Sequence, residues 1–307
     1  MKKTIYFSLL LSFTFFLISC GSGTVPETPN PKPEKPITET KIPIKISLGN
    51  IGTRATDASF ETGDAVGLYV VNYNGATPGT LTATGNHVDN MRFVYGAQWV
   101  PDQKIYWKDE ITHADFYAYY PFTTVGNITA HPFSVKSDQS TETSYKQSEF
   151  LWGKTANVLP TESAVGITTK HVFSNVIVKL VAGDGFTTEE IANSGATVKL
   201  TNVVLQSLIN LTTGVATASG TSASIIMRNE GSQFRALVVP QTVAINLPLV
   251  VVSLGGLDYT LKASADISFL ANKKHTFTVT LNKKANGINI GIGDWETDNI
   301  DYGGNAQ

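Results

Sequence analysis

The sequence predicts an all-β protein, built as two β-sandwiches in series that meet near residue 170. Three observations carry this. Gly, Thr, Val and aromatic residues are plentiful and helix-favouring runs are scarce. Short apolar or alternating segments recur along the chain, with turn signals such as Gly183-Asp184-Gly185 and Gly255-Gly256 between some of them. At 307 residues, less a leader, the chain can hold two domains of ordinary size.

The first ordered element is residues 42–48, where Ile42, Ile44, Ile46 and Leu48 alternate with other residues at period two. That pattern is a half-buried strand, and Pro43 places it at an edge or at a strand start. A loop over residues 49–57 carries Arg54, and residues 66–71 form the next strand after the turn signal Gly63-Asp64. Strands follow at residues 91–95, at 99–107 with a bend at Pro101-Asp102, at the strongly aromatic 114–120, and at 149–153. The second half reads as strands at 171–181, 197–208, 224–227, 234–239, 247–252, 258–263, 275–281 and 287–292. One helical piece is predicted over residues 187–193, with Thr187 or Thr188 as N-cap and Glu189 and Glu190 in the first turn.

The N-terminus sets the compartment. Lys2 and Lys3 precede an apolar run over residues 5–18, broken only by Ser8, Ser12 and Thr14. The run is shorter than the roughly 20 residues a membrane span needs and has the length of a signal-peptide core. It ends in Leu17-Ile18-Ser19-Cys20, the order a lipoprotein signal peptidase requires, so Cys20 is the expected lipid acceptor. Acyl chains of the palmitate class on Cys20 would hold the protein at the outer membrane, each buried methylene contributing about 0.8 kcal/mol. Cys20 is the only cysteine, so no internal disulfide forms. The expected layout is a signal over residues 1–19 and a lipidated cysteine with an extended Pro-rich linker over 20–40. One sandwich then covers 41–170 and a second 171–307.

A net charge of −2 leaves no basic footprint for nucleic acid. His87, His113, His131, His171 and His275 stand in no metal-ligand spacing, and neither a phosphate loop nor a Gly-x-Ser-x-Gly elbow is present. No catalytic residue, metal or cofactor is therefore expected. The aromatic side chains of Phe116, Tyr117, Tyr119, Tyr120 and Phe122 could offer a carbohydrate-stacking surface, or could fill the core on one face and lie under a neighbouring segment on the other.

In order along the chain stand the lipobox, Thr53-Arg54-Ala55-Thr56, and Phe60-Glu61-Thr62-Gly63-Asp64-Ala65-Val66-Gly67-Leu68-Tyr69. Ile105-Tyr106-Trp107, Ala114-Asp115-Phe116-Tyr117-Ala118-Tyr119-Tyr120-Pro121 and Phe150-Leu151-Trp152-Gly153 follow, then His171-Val172-Phe173-Ser174 and a close running to Trp295. Together these resemble the fimbrillins, the type V pilin subunits of Bacteroidales. The resemblance implies two transthyretin-like β-sandwich domains, a surface location and assembly into a fimbrium without catalysis. It also implies that an arginine-specific protease cuts between Arg54 and Ala55 and releases the strand bearing Ile42, Ile44, Ile46 and Leu48. The vacated groove would accept a strand from another fimbrial subunit. The alternating Ile288, Ile290 and Ile292 precede Trp295, and beyond it only Ile300 and Tyr302 could fill a groove, which favours a tip or accessory subunit. Two other readings stay open: a non-polymerising surface lipoprotein that binds a glycan or host protein, and a surface enzyme whose site is assembled from distant loops.

Overall fold

A computed structural model describes residues 41–50, 60–284 and 287–292. Among them the protein is nearly all strand, with two helices of five residues each. The first half runs β1 (Ile46–Asn50), β2 (Ala65–Asn72), β3 (Val88–Tyr95), β4 (Trp99–Pro101), β5 (Ala114–Tyr120), β6 (His131–Ser134), α1 (Glu142–Lys146), β7 (Leu151–Val158) and β8 (Val165–His171). The second half begins β9 (Ser174–Ala182), α2 (Thr188–Ala192), β10 (Thr197–Val204), β11 (Gln206–Asn210), β12 (Val215–Ala218), β13 (Ser222–Ile226) and β14 (Arg228–Asn229). It ends β15 (Phe234–Val238), β16 (Gln241–Val243), β17 (Pro248–Leu254), β18 (Leu257–Lys262), β19 (Ile267–Phe269), β20 (Lys274–Lys284) and β21 (Gly287–Ile292).

The first sheet has seven strands in the order β1-β8-β7-β5-β2-β3-β4. Its central strands are buried on both faces, and the alternation of side chains explains how. Val66, Leu68 and Val70 of β2, with Phe116 and Ala118 of β5, enter one core. Tyr69 and Val71, with Tyr117 and Tyr119, enter the other. The aromatic strand is thus filled core on both sides, and Phe116, Tyr117 and Tyr119 present no stacking surface. Close packing fixes Gly67: a Cβ there would meet the Tyr119 ring and the Asn90 side-chain oxygen. Asn90 itself takes a positive φ of 43° beside the register shift between β2 and β3, and accepts a hydrogen bond from the Tyr119 hydroxyl at 2.7 Å.

The later strands form sheets ordered β13-β10-β17-β18 and β14-β15-β9-β20-β21, with a small pair β16-β19. A three-stranded sheet, β12-β11-β6, takes one strand from before residue 170 and two from after it. Side-chain amides extend this pairing where backbone partners run out. Gln139, fully buried, accepts from the Leu237 N–H at 2.8 Å and donates to its carbonyl at 2.9 Å. Gln241 serves Val204 in the same way, at 2.7 and 3.0 Å.

Several expected strands are corrected in extent. Residues 99–107 do not continue past Pro101 as one strand; Ile105 and Trp107 instead bond the chain at Ile42 and Ile44. Residues 171–181 break at Val172-Phe173, because Phe173 turns its ring into the core between β8 and β9. Residues 197–208 divide at Leu205 into β10 and β11, which belong to different sheets. The helix at 187–193 is present as α2, with a full capping box between Thr187 and Glu190.

Candidate functional site

The segment from Ile42 to Asn50 fills the outermost place of the first sheet. Its period-two pattern sets which side chains go inward. Ile44 and Ile46 are 3% and 5% exposed, Ile42 and Leu48 are half-buried, and all four pack against the same core. Lys41, Lys45, Ser47 and Gly49, the alternate positions, face solvent.

Two different pairings hold the backbone. Over its first residues it lies antiparallel to 105–107. The Ile44 N–H donates to the Ile105 carbonyl, and the Trp107 N–H donates to Ile42, both at 2.9 Å. Pro43 sits at the centre of this bridge, where it need not donate. Then β1 pairs parallel with β8, in the register Ile46↔Val165, Leu48↔Ile167 and Asn50↔Thr169. The Val165 N–H donates to the Lys45 carbonyl at 2.8 Å, and the Lys45 ammonium reaches the Glu162 carbonyl at 3.1 Å.

Beneath the segment lie Val165 and Ile167 of β8, Trp107, and Phe116 of β5. The Trp107 ring meets Phe116 edge-on at 5.3 Å and donates its indole N–H to the Thr161 carbonyl at 3.2 Å, so the floor is ordered by its own contacts. Burying a branched aliphatic side chain contributes about 1.5–3 kcal/mol. The two fully buried isoleucines alone therefore supply about 3–6 kcal/mol, a large part of the roughly 5–15 kcal/mol that holds a typical domain folded.

From Phe60 onward the chain is fastened again at once. The Phe60 ring meets Trp99 at 4.9 Å and Tyr120 at 5.8 Å, both edge-on. Glu61 donates its N–H to Asp64 at 2.8 Å and pairs its carboxylate with Lys146 of α1. Asp64 in turn accepts from the Tyr120 hydroxyl at 3.2 Å.

Sequence reasoning singled out Ile42, Ile44, Ile46 and Leu48, and the structure brings them together on one core face. Cys20, Arg54 and Ala55 lie outside the described residues, as do the linker and the chain beyond Ile292. The residues it missed are the seat itself, Val165 and Ile167, whose alternation was the available signal. Ile288, Ile290 and Ile292 fall in β21, which pairs antiparallel with β20 in the protein's own sheet, Leu281 opposite Ile290. Among the described residues no group of three or more His, Cys, Asp or Glu side chains is placed to hold a metal ion. The chief buried charge is Asp115, salt-bridged to Lys154 at 2.8 Å and bonded by the Asn157 N–H at 2.8 Å. Burial pushes its carboxyl up, but Lys154, Asn157 and Tyr73 together outweigh that and hold it below the ordinary carboxylate range.

These features define a class: an all-β, sandwich-type protein whose outermost strand completes its own core. The fimbrillin-like family profile matches residues 53–295. A candidate fimbrium subunit, Fim1C, of Bacteroides uniformis is 27% identical over 317 residues, covering 97% of each chain. Two solved structures share the fold. A candidate cell adhesion protein of Bacteroides uniformis superposes with a TM-score of 0.61 at 23% identity, over 82% of this chain and 99% of that one. Another from Bacteroides ovatus gives 0.62 at 17%, over 83% and 96%. The chain belongs to the fimbrillin-like family. That family consists of structural fimbrial and adhesion proteins rather than enzymes, and its members belong to the cell-surface fimbrium.

Proposed function

We propose that this protein is a tip or accessory subunit of a surface fimbrium that serves adhesion, and that it is assembled by strand exchange after proteolysis. In this reading it reaches the outer membrane as a lipoprotein anchored through Cys20, with its first strand in place. An arginine-specific protease cuts between Arg54 and Ala55. The strand bearing Ile42, Ile44, Ile46 and Leu48 then leaves, taking the lipid tether with it, and a strand of another subunit fills the seat.

The observation that carries the reading is the placement of β1. It is an edge strand, so it can leave without breaking the pairs between the other strands, yet it fills a core, so its loss exposes Val165, Ile167 and Trp107. A strand of matching apolar pattern would restore that burial, and its backbone would recover the β8 pairing. Until then the intact strand protects the edge from premature partners.

The connection has the length this requires. From β1 to β2 the sheet crosses four strand spacings, about 19 Å in all. The nine residues 51–59, Arg54 among them, can extend to about 30 Å. Cleavage would leave the retained chain fastened at Phe60.

The test is limited digestion of the mature protein with an arginine-specific protease, followed by N-terminal sequencing and incubation with a peptide of residues 42–50. A single new terminus at Ala55, a resistant remainder and uptake of the peptide only after cutting are expected. If Arg54 resists while other sites yield, or if the cut protein takes up no strand, the reading fails. The tip assignment has its own check: homopolymers built through the C-terminus would overturn it.

A further inference from the structure

His131 is the first residue of β6, the one described strand from before residue 170 that enters a sheet with later strands. It is 3% exposed, and among the described residues neither ring nitrogen has a hydrogen-bond partner. Its ring lies 6.0 Å from Tyr119 of β5 and 6.1 Å from Phe150, just before β7. Its backbone is paired with fully buried Ile209 of β11. The imidazole is therefore wedged between the first sheet and the three-stranded sheet, at the seam where the two halves of the chain interlock.

A neutral ring tolerates that place as an aromatic filler with two unmet polar atoms. A charged ring does not, because an unpaired charge in an apolar site is far costlier than an unpaired dipole. Among the described residues no charged group compensates it, although the buried Tyr69 hydroxyl in the same core also has no partner there. On the first sheet Tyr119 lies against it, with Tyr69 and Tyr117 in the same core, and the single Tyr119 hydroxyl proton is already shared between Asn90 and the Thr123 carbonyl. Burial pushes the Tyr119 phenol up to about 12, so it supplies no negative charge. Tyr69 is raised as well, by burial first and then by Tyr119 and Asp89. Beside Phe150, Glu149 is engaged by His171 at 2.9 Å. β11 contributes Gln206, Ser207, Leu208, Ile209 and Asn210, none of them charged, and Phe133 and Phe173 close the remaining side.

We propose that His131 makes this seam acid-sensitive: proton uptake by its ring loosens β6 and β11 from Tyr119 and Phe150 and so weakens the link between the two halves of the chain. Burial alone holds the ring's affinity for a proton below that of a free histidine. The unfolded chain therefore takes up this proton first as pH falls. His131 costs nothing in this respect above about pH 6.5, and its contribution to stability falls as pH drops through and below that value. Each pH unit in that window multiplies the unfolding constant by up to about ten for this one site.

The experiment compares urea unfolding of the intact wild-type chain and His131→Phe between pH 7.5 and 5.0. Amide exchange is followed at Leu211 and Val135, whose N–H groups bond Ile128 and Leu205 across the seam. The wild type should lose up to about tenfold more in folding equilibrium per pH unit than the variant below pH 6.5. Exchange at the seam should rise in the wild type only. Parallel pH profiles would overturn the proposal. If His131→Phe does not fold, the ring carbon shift of His131 in the wild type decides: a midpoint at or above 6.5 overturns the proposal, and one below it, with seam exchange rising at the same pH, supports it.

Discussion

Among the described residues two strand pairs run parallel, and they hold opposite places in their sheets. In the five-stranded sheet β9 and β20 pair parallel over eight positions, from Asn175↔Lys274 to Ala182↔Leu281. Each has a further strand on its other side, β15 beside β9 and β21 beside β20. In the first sheet β1 and β8 pair parallel over five positions, and β1 is the outermost strand. Val176, Val178, Phe277 and Val279 of the inner pair are all 3% exposed or less. Ile44 and Ile46 at the edge are almost as well buried. Burial of side chains is thus similar, and what differs is how much of the sheet each strand's departure would disrupt. An inner strand cannot leave without parting two neighbours, whereas the edge strand parts from only one.

The sharpest way to break this comparison is to cut one buried side chain on each side of it. Phe277→Ala should cost about 3–5 kcal/mol, read as a lower urea midpoint for the whole protein. Ile46→Ala removes a comparable anchor from β1, but the strand can detach alone, so the global stability should fall by only about 2 kcal/mol or less, with a correspondingly smaller drop in urea midpoint. The amide of Val165, which donates to Lys45, should then exchange faster than any amide of β9. Equal midpoint losses with no local rise at Val165 would mean that edge and interior unfold as one unit.

How far such a contrast was legible in the sequence depends on which forces set each element. The edge strand was readable because one of its faces is wet, so Ile42, Ile44, Ile46 and Leu48 stand out against Lys45 and Ser47. Its partner β8 was not. Val165 and Ile167 alternate with Gly166 and Thr168, and only two aliphatic residues mark a strand whose stability comes from neighbours on both sides. β6 hides in the same way, since His131-Pro132 reads as a loop until β11 supplies the pairing. The junctions at Phe173 and Leu205 were invisible because the apolar run continues through them, and long-range packing decides which sheet each part joins. α1 is too short for any periodicity, although Thr141 caps it. The edge strand was therefore predictable from its own pattern, and the seat it packs on was hidden.

The buried charge sharpens the comparison from the interior of the first sheet, between β5 and β7. Lys154 is one-third exposed and Asp115 2% exposed, so Asp115→Asn leaves the ammonium partly able to reach water. A loss of about 1–3 kcal/mol at pH 7 is expected from urea unfolding. The folded carboxyl is held below its ordinary value, so its stabilisation is present above the unfolded-state pKa of about 4 and is lost as pH falls through the folded value. The gap between wild type and Asp115→Asn should consequently begin to narrow below about pH 4 and go on narrowing as pH falls. This runs on a different window from the His131 effect, which lies nearer pH 6, so one pH series separates the two. A gap that stays constant down to pH 3 would show that Asp115 acts through packing and not through its charge.

The smallest effect tests whether a local motif matters to either region. Thr187 accepts the Glu190 N–H at 3.1 Å, while the Glu190 carboxylate accepts the Thr187 N–H at 2.7 Å, closing the capping box of α2. Glu190 is held below the ordinary carboxylate range by the Thr187 N–H first and by Lys283 next. None of the five residues of α2 is fully buried, and beside this box only the half-buried Ile191 and the exposed Lys283–Glu190 pair tie it to the rest of the protein. Thr187→Ala should therefore cost at most about 1 kcal/mol and lower Tm by only about 2–4 °C. It should leave the exchange of β9 amides unchanged although α2 follows directly from that strand. A larger loss would mean that α2, through Lys283 of β20 at 3.6 Å from Glu190, helps clamp the inner parallel pair. The inner pair would then depend on its flanking loop as well as on its strand neighbours.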